Sequence, residues 1–206
     1  QAPAEEPEEI APGLLTGELM AANAENLLPD FDYTGDMQIS VGEGKILSND
    51  AKLYYRSEVE GVDINLQITS GTELGLTLRA TAPGAIYSGS LGYALYLKRT
   101  EFNLWRVDTP GDTTWNDTLL ANGTLPADLF DGEMHRLVYS AKENTAGRAV
   151  VKLSIDGTEV FSVTESEDAL PIEGTEFKID SVNDSSLRYQ LLYTYEEERP
   201  EDYTVL

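Results

Sequence analysis

Residues 62–69 read VDINLQIT, with Val62, Ile64, Leu66 and Ile68 at one parity and Asp63, Asn65, Gln67 and Thr69 at the other. Successive side chains of an extended strand point to opposite faces, so the segment predicts a strand buried on one side. The pattern recurs on both sides of it. ELGLTLRA (73–80) sets Leu74, Leu76 and Leu78 against Gly75, Thr77 and Arg79. LGYALYLK (91–98) sets Tyr93, Leu95 and Leu97 against Ala94, Tyr96 and Lys98, and AVVKLSI (149–155) sets Val151, Leu153 and Ile155 against Lys152 and Ser154. Alternation of this kind belongs to half-buried antiparallel strands. Further strands are expected at 37–41, 45–48, 52–57, 102–107, 134–140, 158–163, 176–182 and 187–195.

The turns agree with the strands. Asp156-Gly157 between two alternating runs predicts a two-residue hairpin, because a type I′ turn needs positive φ at both central residues. Glu43-Gly44 and Ser70-Gly71 are expected to mark other turns. Many short strands with no long helical stretch after residue 30 imply an all-β, antiparallel two-sheet sandwich. Residues 1–13, QAPAEEPEEIAPG, read as a flexible acidic tether without a periodic apolar face. Residues 14–206 read as one sandwich domain, with a short lead-in and a strand core over about 30–195.

Composition narrows the partners. The 206 residues carry 37 acidic and 14 basic side chains, a net charge of −23, which repels nucleic acid and anionic lipid. No apolar run approaches the roughly 20 residues that span a bilayer, so no direct membrane insertion is expected. There is no cysteine, so thiol nucleophiles, disulfides and thiolate metal sites are excluded. The chain opens at Gln1, and the expectation is a trimmed, extracellular or cell-surface form, lipid-anchored through a removed segment.

The order of features resembles a known family. The segments GEGKIL, KLYYRS, the paired runs VDINLQIT and ELGLTLRA, GYALYL and FNLWRV are followed by Asp131-Gly132 leading to His135, and by Ile155-Asp156-Gly157. This pattern is similar to the concanavalin A-like or laminin-G-like jelly roll of extracellular bacterial proteins, including fructan-binding modules of levanases. The resemblance implies a sandwich that hosts lectins, glycosidases and adhesion modules alike. It also implies a structural role for His135. The end of the chain departs from the pattern, with EGTEFKIDSV and DSSLRYQLLYTY in place of a glycine-bearing closing strand.

Sugars offer C–H faces to aromatic rings and hydroxyls to planar polar groups. Outward parity assigns Arg79, Tyr96 and Lys98 to one candidate glycan-binding face, with Tyr54, Arg56 and Trp115 as neighbours. Trp105 reads as core before platform. Asp108, Asp112 and Asp117 share a loop and are the candidate ligands of a structural calcium. No other cofactor is expected. Catalysis is not: in EVEGVD, Glu58, Glu60 and Asp63 break the single-face parity that paired carboxylates need. The single histidine cannot form a three-histidine metal site. The leading expectation is a non-catalytic carbohydrate-binding module. The alternatives are a structural or protein-interaction surface domain and, more weakly, a divergent glycoside hydrolase.

Overall fold

The structure, a computed structural model, describes residues 31–34, 37–40, 43–46, 52–55, 60–80, 91–108, 116–182 and 186–195, with side chains for 60–80, 91–108 and 117–180. The proposed tether and lead-in, Arg56, Asp112 and Trp115 lie outside them, as does Glu58. Fourteen strands are described: β1 (Phe31–Thr34), β2 (Met37–Ser40), β3 (Glu43–Ile46), β4 (Lys52–Tyr55), β5 (Gly61–Ser70), β6 (Glu73–Ala80), β7 (Gly92–Leu97), β8 (Glu101–Asp108), β9 (Asn116–Thr124), β10 (Met134–Glu143), β11 (Ala149–Ile155), β12 (Thr158–Thr164), β13 (Glu176–Val182) and β14 (Ser186–Tyr195). They form two antiparallel sheets, one ordered β1-β4-β13-β6-β7-β8-β9 and the other β12-β11-β10-β5-β14-β3-β2. We call them the first and second sheet.

The alternating leucines build the core. Leu76, Leu95 and Leu104 are register partners across β6, β7 and β8, and so are Leu74, Leu97 and Phe102. Val62, Ile64, Leu66 and Ile68 of β5 join the same cluster from the second sheet, with Leu137, Tyr139, Val151, Leu153 and Ile155. All but Phe102 are at most 2% exposed. Each such side chain contributes roughly 1.5–3 kcal/mol by leaving water. Phe102 and Phe161 carry the packing to one side of the sandwich, their rings stacked at 5.0 Å.

The turns separate into two kinds. Asp156 and Gly157 have φ of 49° and 79°, as the type I′ hairpin between β11 and β12 requires. Gly71 links β5 to β6, which lie in different sheets, so that turn crosses the sandwich. Glu43-Gly44 is not a turn. The pairing Ser40↔Glu43 puts the reversal between those residues and leaves Gly44 inside β3.

Candidate functional site

The outward residues of the first sheet fall into two cross-strand rows. In one, Lys178, Thr77, Ala94, Trp105 and Leu119 follow one another across β13, β6, β7, β8 and β9. In the other, Asp180, Gly75, Tyr96, Asn103 and Asn122 do the same. Tyr54 stands opposite Lys178 in backbone register, at the β4 end of the first row.

Small residues between large ones give this face its shape. Thr77, Ala94 and Lys178 form a buried floor, while Tyr96, Asn103 and Trp105 stay partly exposed. The Tyr96 ring leans over Gly75: a Cβ there would lie 3.3 Å from Tyr96 Cε1 and 3.2 Å from Asp180 Cβ. Lys178 Nζ holds Asp180 at 2.9 Å, which fixes the carboxylate beside that ring. Burial raises the Tyr96 phenol above its ordinary range, and the charges of Asp180, Glu73 and Asp117 add to the rise. Tyr96 therefore remains a neutral hydroxyl at physiological pH, able to donate and accept. Tyr96 and Trp105 are diagonal neighbours on adjacent strands, a spacing of about 7–8 Å within reach of aromatic side chains.

The Arg79–Tyr96–Lys98 cluster expected from parity does not form. Arg79 has φ of 50° and lies in a β-bulge, where Leu78 and Arg79 together oppose Phe177. The extra residue reverses the alternation. The guanidinium enters the sandwich, 8% exposed, and its Nε donates to the Ala141 carbonyl at 3.2 Å. Glu143 at 3.5 Å and Glu60 at 3.8 Å flank it. Lys98 is exposed beyond the end of β7, where its amide closes the turn onto the Glu101 carbonyl. Trp105, expected in the core, is instead partly exposed on the platform, and the plain alternation of FNLWRV already carried that signal.

The aspartates proposed for calcium separate as well. Asp108 turns to the inter-sheet side, where Arg106 Nε donates to it at 3.0 Å. Asp117, one register position away opposite Val107, is exposed and acts on Tyr96 across the other face. The pleat sends the two carboxylates to opposite sides of the sheet, so they do not converge on one ion. No group of three or more potential ligands converges among the described residues. The carboxylates of EVEGVD are parted too: Glu60 faces Arg79, while Asp63 is fully buried and takes two bonds from Arg136, at 2.8 and 2.6 Å.

Two buried polar assemblies complete the picture. Arg106 Nη1 reaches both oxygens of Glu165, at 2.6 and 2.7 Å, and Tyr93 donates to the same carboxylate at 2.8 Å. Tyr139 in turn donates to the Tyr93 carbonyl at 2.9 Å, linking the two sheets. At the entry to β10, His135 Nδ1 meets Asp156 at 2.7 Å and Nε2 meets Asp131 at 3.2 Å. The two motifs noted in the sequence, Asp131-Gly132 and Ile155-Asp156-Gly157, thus converge on this histidine.

No protein-family model matches the chain, and no curated protein matches it. Solved structures do. The carbohydrate binding module CBM66 from Bacillus subtilis is 13% identical, with a TM-score of 0.53 over 79% of this chain and 93% of that one. The Emp46p carbohydrate recognition domain is 11% identical, with a TM-score of 0.55 over 85% and 93%. A Bacteroides ovatus mixed-linkage glucan GH16 structure is 8% identical, with a TM-score of 0.51 over 79% and 94%. At such identities the likeness concerns the fold alone, and with two antiparallel sheets packed on a shared leucine core, the fold of this chain is that of a concanavalin A-like jelly roll.

Proposed function

We propose that this chain is a non-catalytic carbohydrate-binding module whose platform is the outer face of the first sheet. One observation carries the reading. Tyr96 and Trp105 stay partly exposed on adjacent strands, above a floor of Gly75, Thr77 and Ala94, with Asn103 and the anchored Asp180 beside them. The rings suit sugar C–H faces, and the amide and carboxylate suit hydroxyls. The fold is shared with structures named for carbohydrate binding and recognition, which supports the same reading. Glu73, Asp117 and Asp180 around Tyr96 favour neutral or amino sugars over uronates. An extracellular or cell-surface location belongs to this proposal, and the acidic, cysteine-free composition agrees with it.

Affinity electrophoresis in gels containing β-glucan, levan, chitosan or polygalacturonate tests it. The wild type is expected to be retarded by a neutral or amino polymer, and Tyr96→Ala and Trp105→Ala each to lose most of that retardation. Retardation by none of the four polymers, or equal retardation of all three proteins, overturns it. A second reading has support because the fold is shared with glycoside hydrolases. Release of reducing ends from any of the polymers by the purified chain would favour it.

A further inference from the structure

We propose that the β8–β9 end of the platform selects the acetamido group of an N-acetylhexosamine in a β-linked glycan. The inference rests on the platform reading above and names the sugar class that the site prefers. Four residues define the spot. Asn103 and Trp105 face outward from β8, and their register partners Asn122 and Leu119 face outward from β9. Leu119 and Asn122 differ in parity yet share a face, because the register skips Leu120, which packs toward the core. Partners across the two strands stand about 4.5–5.5 Å apart between Cβ atoms, and Asn103 and Trp105 lie about 6.4–6.8 Å apart along β8. The block thus sets two carboxamides beside an indole and a leucine.

The polar groups of this block are uncommitted. Among the described residues, no hydrogen bond or ion pair engages the side chains of Asn103, Trp105 or Asn122. Its apolar groups are open as well. Leu119 is 43% exposed, and Trp105 is partly exposed and outside the core cluster. An exposed leucine against an indole is a poor match for a sugar that offers only hydroxyls. An acetamido substituent joins a methyl group to a planar amide. The methyl covers Leu119, and the sugar C–H face stacks on Trp105. The amide N–H donates to the Oδ1 of one asparagine, and the amide carbonyl accepts from the Nδ2 of the other. Every part of the substituent finds its counterpart within four neighbouring side chains.

Charge argues against the other substituents. No ionisable side chain belongs to the block, and the exposed Glu101 and Asp117 bound it at its two ends along the strands. A sugar carboxylate would be repelled from both ends, in a chain of net charge −23. An ammonium group in place of the acetamide would give up water against Leu119 without a carboxylate in the block to receive it. A neutral amide bears neither cost.

Isothermal titration calorimetry of the full chain with three β-linked hexasaccharides tests the proposal. Chitohexaose, its fully deacetylated counterpart and cellohexaose share one backbone and carry an acetamido, an ammonium and a hydroxyl group at C2. Chitohexaose is expected to bind about tenfold tighter than either of the others, the effect of one covered methyl and one added hydrogen bond. Leu119→Ser and Asn122→Ala are each expected to bring the chitohexaose-to-cellohexaose affinity ratio down to about threefold or less, whereas Leu119→Met keeps it at about ten. Both positions are exposed, and thermal melts of every variant check that the fold is kept. Equal wild-type affinity for chitohexaose and cellohexaose overturns the proposal and leaves the platform reading standing. A preference that survives both Leu119→Ser and Asn122→Ala does the same. If no hexasaccharide binds while one of the polymers above still retards the chain, the acetamido proposal falls alone. If neither hexasaccharides nor polymers bind, it falls together with the platform.

Discussion

Arg79 sits at φ 50°, a conformation that costs a residue with a Cβ roughly 1–2 kcal/mol, and its side chain spans from β6 to the Ala141 carbonyl of β10. The bond links the two sheets and is buried. Arg79→Ala keeps the strained backbone and removes that bond between the sheets, so a loss of about 1–3 kcal/mol in unfolding free energy is expected by urea denaturation. His135 makes its contribution through protonation. A neutral imidazole has one N–H, whereas both ring nitrogens here face carboxylates, which favours the imidazolium. Burial lowers the His135 pKa, but the hydrogen bonds and charges of Asp156 and Asp131 outweigh it and raise the value above the ordinary 6.5. Stability from this group is therefore fully present below pH 6.5 and fades as pH rises through the raised folded value. Asp131 is lowered, mainly by the Glu133 amide, so its share is present above its ordinary 3.8 and fades as pH falls through the depressed value. The melting-temperature gap between wild type and His135→Gln should be widest at about pH 4–6.5 and narrow on the alkaline side. A gap independent of pH would remove the charge from this account.

At the scale of elements, the bulge in β6 is enclosed by glycines. A Cβ on Gly92 would lie 2.5 Å from the Leu78 carbonyl oxygen, and one on Gly174 would lie 2.1 Å from that of Arg79. Neither neighbour is a flexible side-chain tip, so the bulge itself would have to move. Gly174→Ala should cost roughly 1–3 kcal/mol in the same denaturation assay, as overpacking does. The bulge explains why parity placed Arg79 wrongly: alternation holds only while residues pair one to one, and nothing in LGLTLRA shows that two residues oppose one. β9 escaped notice for a related reason. NDTLLANGT has adjacent leucines and an Asn-Gly pair, and its register shift opposite Leu104/Trp105 breaks the period-two signal. β5, β7 and β11 kept their alternation, as did β6 as far as Leu78, and their core residues were readable directly from it.

For the molecule as a whole, a net charge of −23 makes the compact state repel itself. Raising ionic strength shortens the Debye length from about 30 Å at 0.01 M to about 8 Å at 0.15 M. The melting temperature should rise by a few degrees over that range, measured with sodium chloride and with choline chloride to separate screening from specific ion binding. A fall would show that attractive surface pairs outweigh the repulsion. The sequence by itself determined the two-sheet sandwich, the β11–β12 hairpin and most of the core, because leucine parity and turn residues act over a few neighbouring positions. Only the tertiary structure decided which polar side chains share a face. It turned Arg79 inward through one extra residue, sent Asp108 and Asp117 to opposite sides of the pleat, and set Tyr96 beside Trp105. Such neighbours are chosen by strand order and bulge position across the sheets, which no local pattern encodes.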